Sequence, residues 1–268
     1  MNIQNEEILL IDNLSFTIKN RKILRNIDLK INKGDRVGIV GPNGVGKSTL
    51  LKIISGILTP TSGAVKIEDL YVDSLGIHLT DELPPYLLGE DYLQYCGTLR
   101  SMNPKHIEAS IKQISEELEI TYLDKKIKEY SQGMRKRVAL AGALIHSPPL
   151  VLFDEPTNFL DYRGKELLLN YLNKQKNHTY IITSHDVNEL YKICSKIIKI
   201  NKGIVEETIH LNLYENMYKI YVDRFVEGLN IQILGNIYFK VVSKKEINQA
   251  LYNLIKKKVV IMDISIIN

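Results

Sequence analysis

The sequence predicts an α/β fold built on a mainly parallel sheet, with a helical insert and a small C-terminal α/β appendage. Three observations lead to this prediction. Short, continuously apolar runs such as Arg36–Val40 are typical of parallel strands buried on both faces. Helical patterns alternate with these runs on both sides of a zone, about residues 84–143, that lacks strong strand signals. A last segment, residues 208–268, has its own helix and strand patterns.

The composition is that of an ordinary globular protein. The chain has 268 residues, of which 44% are hydrophobic and 25% charged, which indicates one to two domains and excludes a disordered or disulfide-built chain. A net charge of +4 is too small to indicate a nucleic-acid partner. Cys96 and Cys194 lack metal-site spacing. No apolar run reaches the roughly 18 residues that a membrane span needs, and residues 1–7 are mostly polar and acidic where a signal peptide is basic and then apolar. The sequence therefore predicts a cytoplasmic protein.

The first zone and the insert contain clear helix patterns. After the strand Arg36–Val40, residues 47–58 are predicted to form a helix that buries its leucine and isoleucine face. In the insert, the pair Asn103-Pro104 is a favourable helix start. The apolar residues that follow it are spaced by four, three and four positions, which predicts an amphipathic helix; they are Ile107, Ile111, Ile114 and Leu118.

Strand signals return after the insert. Leu150–Phe153 forms an apolar run that ends in two acids, and residues 179–183 form another that ends at Ser184-His185. Residues 196–207 predict two strands around a turn at 201–203. We therefore expect one domain over residues 1–207.

The remaining residues, 208–268, are expected to form a small accessory domain. Residues 247–255 carry a helical apolar stripe. The alternation that follows predicts a half-buried strand with one apolar face, formed by Val260, Met262, Ile264 and Ile266. The lysine run 256–258 is interpreted as a solvated helix end.

A glycine-rich segment after the strand Arg36–Val40 matches the pattern G-x-x-x-x-G-K-[ST] of a phosphate-binding loop. Glycines allow backbone N–H groups to turn inward, and the following helix presents its positive end to an anion. Lys47 is predicted to reach the β- and γ-phosphates, and the Ser48 hydroxyl to ligate Mg²⁺. The predicted nucleotide-binding segment comprises Gly41, Pro42, Asn43, Gly44, Val45, Gly46, Lys47, Ser48 and Thr49.

The strand Leu150–Phe153 delivers Asp154 and Glu155 to the carboxyl edge of the sheet, where α/β proteins bind ligands. Asp154 is predicted to hold Mg²⁺, directly or through water, and Glu155 to accept a proton from an attacking water. Beside a phosphate loop, this interpretation is favoured over two solvated acids.

Three further motifs accompany these two. They are Tyr130–Leu144 (YSQGMRKRVALAGAL), Asn158–Asp161 (NFLD) and Ser184–Asp186 (SHD). In this order, residues 8–207 resemble the nucleotide-binding subunits of ABC transporters, which have a P-loop NTPase fold. Ser131, Gln132, Gly133 and Met134 occupy the family's signature segment, Asp161 matches its D-loop aspartate, and His185 matches its switch histidine.

The resemblance implies an ATPase that uses ATP and Mg²⁺, with Lys47, Glu155 and His185 as catalytic residues. It implies a head-to-tail pair with a second ATPase subunit, in which Ser131 and Gly133 close on ATP held by the other chain, and it places Asp161 among the nucleotide-binding residues. It further implies a separate transmembrane permease and a peripheral position on the inner face of the membrane. The signature variant resembles that of exporters whose membrane subunits are separate chains. The small appendage resembles those of drug, antibiotic-peptide and immunity exporters.

Two departures from the family leave alternatives open. Ile18 stands where an aromatic ring usually stacks on adenine, and Phe16 lies two residues earlier. The Q-loop region has no glutamine, so Thr80, Asp81 or Glu82 is expected to replace it.

The function also has alternatives. One is a soluble ABC ATPase that acts on ribosomes or DNA, which is disfavoured by the single cassette and the lack of long coiled coils. Another is an ATP-binding protein without turnover, which is disfavoured by the intact motifs.

The segment 76–102 is the part of the family fold that receives a cytoplasmic helix of the permease. Here it is rich in leucine and tyrosine. The leucines are expected to pack the core of the insert, whereas Tyr86, Tyr92 and Tyr95 are expected at the interface, since tyrosine combines a large apolar ring with a polar tip.

Overall fold

A computed structural model describes residues 6–72, 74–175, 178–211, 217–234, 237–243 and 246–267. The chain divides into two compact units, residues 1–209 and residues 210–268. The fold class is the one predicted from the sequence: an α/β unit with a mostly parallel sheet, followed by a small C-terminal unit.

The strands of the first unit are β1 (Glu7–Ile18), β2 (Arg21–Asn32), β3 (Arg36–Val40), β4 (Ser62–Ile67), β5 (Gly76–His78), β6 (Leu150–Asp154), β7 (Thr179–Thr183), β8 (Lys196–Asn201) and β9 (Ile204–His210). Its helices are α1 (Lys47–Ile54), α2 (Asp69–Val72), α3 (Gly89–Leu99), α4 (Pro104–Glu117), α5 (Gln132–Leu144), α6 (Tyr162–Lys174) and α7 (Val187–Ile193), with a 3-10 turn at Ile127–Glu129. Within the described residues, no helix has both the length and the apolarity to cross a bilayer.

Two sheets build the first unit. One is antiparallel, in the order β2-β1-β4, and the other has the order β5-β6-β7-β3-β8-β9. In the second sheet β5, β6, β7, β3 and β8 pair in parallel. Every residue of β3 and β7 is buried, which explains why these strands are apolar except for Arg36, Thr179 and Thr183 at their ends.

Helix α1 lies in the core shared by the two sheets. Its buried Leu50, Leu51, Ile53 and Ile54 pack in one cluster with apolar residues of β1, β2, β3 and β6. The helix ends at Ile54, four residues earlier than predicted. Gly56 adopts a φ of 77° in the turn that follows, a conformation that terminates helices and favours glycine.

The insert contains α3, α4 and α5. The amphipathic helix α4 begins as predicted: Asn103 is its N-cap and accepts a hydrogen bond from the N–H of Lys105 at 3.0 Å, with Pro104 in the first turn. The four apolar residues spaced by four, three and four are all buried, as predicted; they are Ile107, Ile111, Ile114 and Leu118.

The second unit is an antiparallel sheet with one helix, α8 (Ile247–Lys256). Its strands are β10 (Met217–Val222), β11 (Gln232–Leu234), β12 (Ile237–Ser243) and β13 (Ile261–Ile267), in the order β11-β12-β10-β13. Ala250 and Leu254 of α8 pack in one core with Ile220 and Val222 of β10 and Val242 of β12.

The strand predicted at the end of the chain is present as β13, but its expected half-burial is wrong. Val260, Met262 and Ile264 are all exposed, and the side chain of Ile266 lies outside the described part of the structure. The physical reason is that β13 is an edge strand, paired with β10 on one side, and a bulge near Val222 interrupts its alternation.

Candidate functional site

Three predicted motifs meet at one edge of the parallel sheet. The loop 41–46 follows β3, Asp154 and Glu155 lie at the end of β6, and Ser184-His185 follow β7. Since β7 lies between β6 and β3 and all three strands are parallel, their carboxyl ends are adjacent. The sheet topology therefore brings together residues that are separated by more than a hundred positions in sequence.

The phosphate-loop segment turns tightly into α1. Gly46 has a φ of 110°, and a Cβ at this position would lie 2.7 Å from Leu24 Cδ2, so both the conformation and the space require glycine. The buried Lys47 donates from Nζ to the carbonyl oxygens of Gly41 at 2.8 Å and Pro42 at 3.3 Å. Lys47 and Ser48 form the first turn of α1, where free N–H groups and the helix dipole favour an anion.

Thr183, the last residue of β7, organises the two acids. Its hydroxyl donates to Asp154 Oδ1 at 2.6 Å and accepts from the backbone N–H of Glu155 at 3.0 Å. Sequence reasoning did not single out this residue. A signal was available, because Thr183 is a polar residue at the carboxyl end of an otherwise apolar strand, next to the SHD motif.

Glu155 and His185 are in direct contact. His185 Nδ1 lies 2.9 Å from Glu155 Oε2, and the backbone N–H of His185 donates to the same oxygen at 3.3 Å. The carboxylate is mostly buried, whereas the imidazole is exposed. One face of the imidazole is thus free to meet a ligand, while the carboxylate oxygen is held in place.

A cavity of about 520 Å³ joins these groups. It is lined by Ile18, Ile23, Asn43, Gly44, Gly46, Lys47, Ser48, Thr49, Glu155, Asn158 and His185. The phosphate loop and two of the predicted catalytic residues therefore share one cavity.

The lining of this cavity shows whether Ile18 or the nearby Phe16 faces the site where a nucleotide base would lie. Ile18 and Ile23 line the cavity, and no aromatic residue of the described chain does so. Phe16 is only 8% exposed and packs in the core cluster, so the alternative in which Phe16 stacks on a base is wrong.

A second group of predicted residues lies around another cavity, of about 300 Å³. Ser131 is the N-cap of α5, and its Oγ accepts from the N–H of Met134 at 3.2 Å. Asp161 is the N-cap of α6. This cavity is lined by Tyr122, Ser131, Gly133, Met134, Arg137, Phe159 and Asp161. It shares no lining residue with the first cavity, so one chain does not bring the two groups together.

Arg137 is part of the second group and was not singled out from the sequence. It donates from Nη2 to Asp161 Oδ1 at 2.8 Å. The N–H of Gly164, together with this guanidinium, lowers the pKa of Asp161 from its usual value.

The Q-loop alternatives differ in their surroundings. Thr80 and Glu82 are exposed. Asp81 is half-buried and contacts His78 and Lys136. Of these three candidates for the missing glutamine, Asp81 is therefore the one whose carboxylate contacts other side chains in the described structure.

Comparison with known proteins agrees with this geometry. Residues 24–158 match the family described as ABC transporter. The chain is 30% identical over 231 residues to the ABC transporter ATP-binding protein NatA of Bacillus subtilis, covering 78% of this chain and 93% of that protein. It is also 33% identical over 225 residues to the sn-glycerol-3-phosphate import ATP-binding protein UgpC of Psychromonas ingrahamii, covering 79% of this chain and 60% of that protein.

Solved structures show the same fold. The dimeric post-hydrolysis state of the ATP-binding cassette MJ0796, bound to ADP and Pi, superposes with a TM-score of 0.68 and 28% identity, covering 76% of this chain and 99% of that one. The structure of cbiO1 from Clostridium perfringens, part of the ABC transporter complex cbiONQ, gives a TM-score of 0.64 and 27% identity over 76% of this chain and 89% of that one.

The aliphatic cavity wall predicts weak discrimination between purine bases. We expect GTP to compete with ATP within about tenfold, or roughly 1.4 kcal/mol. Ile18→Tyr should tighten ATP binding by about 1–3 kcal/mol, by analogy with base–aromatic stacking. Competition titration with a fluorescent ATP analogue measures both. Lys22→Tyr, an exposed position paired with Thr17 on the neighbouring strand, serves as the control and should leave binding unchanged. A hundredfold preference of the unmodified chain for ATP would contradict the prediction.

Proposed function

The chain belongs to the ABC transporter family as its ATP-binding and ATP-hydrolysing subunit, and from that premise we propose that it powers export of a peptide or drug-like substrate through a separate permease. The observation that carries the ATPase part of this proposal is the cavity that unites the phosphate loop with Glu155 and His185. Export is favoured by the signature variant at 131–134 and by the small C-terminal unit. One relative, UgpC, is named as an import protein. The export direction is therefore proposed for this chain and is not carried over from its relatives.

We assign the chemistry to residues of the first cavity. Lys47 and the N–H groups of its loop bind the phosphates, Glu155 orients the attacking water, and His185 contacts the γ-phosphate. Hydrogen bonds from Lys47 Nζ to two carbonyl oxygens hold its ammonium group at the loop. This is the positioning and charge stabilisation that phosphoryl transfer requires. In the proposed division, residues 1–207 form the ATPase domain and 208–268 an accessory domain.

The donor set at the edge of the sheet fits Mg²⁺. Ser48 offers a hydroxyl, and Asp154 offers a carboxylate whose Oδ1 is oriented by Thr183. These are hard oxygen ligands, and Mg²⁺ typically uses one or two of them beside phosphate oxygens and water. Among the described residues no cluster of three or more His, Cys, Asp or Glu forms a dedicated metal cage, which agrees with a metal that is held largely by the nucleotide. Bound there, Mg²⁺ would neutralise phosphate charge.

A second copy of the chain completes the site in this proposal. The N-cap Ser131 and Gly133 open the helix α5, which makes this end suitable for phosphate. Their cavity is separate from the phosphate-loop cavity within one chain, and the related cassette MJ0796 is a dimer. We therefore place Ser131, Gly133 and Asp161 against ATP held by the other subunit.

Glu155→Gln tests the chemistry. The amide keeps the size of the side chain and a hydrogen bond to His185 but does not accept a proton from water. We expect ATP binding to be retained, steady-state hydrolysis to fall by at least about a hundredfold, and an ATP-bound dimer to accumulate. Phosphate release and size-exclusion chromatography with Mg-ATP measure these effects. Normal hydrolysis by this variant would refute the role of Glu155.

The same variant tests the direction of transport. Cells that express the chain with its permease should tolerate a higher concentration of the exported peptide antibiotic than cells that express Glu155→Gln with the permease. The measurement is the inhibitory concentration across a panel of peptide antibiotics. Import would instead sensitise the cells with the active chain, and equal sensitivity across the panel would remove the support for a peptide or drug-like substrate.

The permease contact is proposed at the exposed tyrosines of the segment 76–102. Tyr86 is 78% exposed and Tyr95 is 54% exposed. Tyr92 differs, because a Cβ added at Gly142 would lie 2.9 Å from its ring and hydroxyl, so its ring packs against α5. The structure therefore assigns Tyr92 to packing within the insert, contrary to the expectation that all three tyrosines lie at an interface.

Alanine substitutions separate the two roles. Tyr86→Ala and Tyr95→Ala should leave the melting temperature and basal ATPase nearly unchanged while weakening co-purification with the permease. Tyr92→Ala is the contrast and should destabilise the chain by about 3 kcal/mol, as truncation of packed aromatic residues does. Thermal unfolding and affinity co-purification decide this. If Tyr86→Ala and Tyr95→Ala bind the permease normally, the proposed contact is wrong.

A further inference from the structure

Two buried side chains, Lys136 and His78, and the half-buried Asp81 form a titratable cluster that the proposed chemistry does not use. Lys136 of α5 is 2% exposed and lies 3.1 Å from Asp81 Oδ1 and 3.2 Å from Oδ2. His78, at the end of β5, is also 2% exposed, and its Nε2 lies 2.9 Å from Asp81 Oδ1. The carboxylate of Asp81 therefore joins the end of β5, through His78, to α5, through Lys136.

Stability alone is a weak explanation for a buried lysine. Burial lowers the pKa of Lys136, and the charge of Asp81 acts against this effect. Replacing a buried ion pair by well-packed apolar groups is often neutral or stabilising, because the ions lose their hydration. We therefore looked for a role of this cluster in ATP turnover rather than in stability.

The position of the cluster suggests that role. His78 pairs with Phe153, the residue before Asp154, so Asp81 lies near the start of the loop 79–88 and close to the end of β6 that carries Asp154 and Glu155. The charges of Asp154 and Glu155 also act on Lys136. The same helix begins at Ser131 and Gly133, which we place against the second ATP.

The loop 79–88 is tied to the region of α5 at a second place. The carbonyl oxygens of Pro85 and Leu87 accept hydrogen bonds from Lys128 at 2.9 Å and Ile127 at 2.9 Å, just before α5. The exposed Tyr86 lies between these two residues. The backbone contacts hold the far end of the loop, whereas the Asp81–Lys136 pair holds the end next to Asp154 and Glu155.

We propose that Lys136 is a positioning residue that, through Asp81, keeps the loop 79–88 and the catalytic edge of the sheet in a fixed relation to the start of α5 during ATP turnover. This inference rests on the proposed function of Ser131 and Gly133. Breaking the link leaves the phosphate loop intact, so ATP still binds. The two halves of the site then close on ATP less often, so turnover slows.

Lys136→Met separates positioning from folding. Methionine keeps much of the volume and the apolar stem but cannot bond Asp81. We expect KM for ATP to stay within about threefold and kcat to fall by about tenfold or more, with the melting temperature not lowered. The matched control is Lys174→Met, which removes an exposed lysine paired with Glu117 at 3.3 Å and should change neither constant. A wild-type kcat in Lys136→Met, or a raised KM with unchanged kcat, would overturn the proposal.

A double-mutant cycle keeps the test decisive if Lys136→Met folds poorly. Asp81→Gln lengthens one side chain by about the length that Lys136→Gln removes from the other, so the double variant offers a neutral amide pair across the same gap. We expect each single variant to lose about tenfold in kcat and the double variant to return to within about threefold of the unmodified chain. Additive losses would refute the link.

The two proposals fail differently. An unmodified chain that does not hydrolyse ATP would refute the proposed function, whereas normal hydrolysis that is insensitive to Lys136 would refute this inference alone.

Discussion

The parallel pairing of β6, β7 and β3 is the constraint on which the site depends. Each strand delivers a different group to its carboxyl end: two acids from β6, a histidine after β7 and the phosphate loop after β3. Parallel strands need crossover connections, and parallel sheets are typically buried on both faces. The same burial that makes the middle of each strand apolar therefore leaves the polar groups at the strand ends.

At that edge, hydrogen bonds decide the geometry of the acids. A single hydroxyl, that of Thr183, holds the Asp154 carboxylate and the Glu155 backbone together. The contact between Glu155 and His185 then joins the end of β6 to the residue that follows β7. In a partly buried environment such hydrogen bonds are stronger than in water, and leaving one of their groups unpaired costs free energy. The carboxylates of Asp154 and Glu155 are therefore held in one geometry, which is preorganised for the reaction.

Two buried lysines near the site illustrate how charge is used in the interior. Lys47 lies against carbonyl oxygens of its own loop, and Lys136 lies against a carboxylate that begins another loop. Both side chains have lost most of their hydration and are compensated by oxygen atoms. Burial of this kind costs stability, so it is expected where position and charge serve function rather than folding.

The amino-acid sequence by itself determined the fold class, the phosphate loop, the acids at the end of β6 and the amphipathic helix α4, because these follow from local pattern and spacing. Only the tertiary structure decided that Phe16 is a core residue, that Tyr92 packs on α5 while Tyr86 is exposed, and that Asp81 has Lys136 as a partner. It also decided that Met262 and Ile264 of β13 lie exposed on an edge strand. The physical reason is that periodicity reports which side of an element is apolar, whereas the neighbour that covers that side is set by contacts between distant parts of the chain.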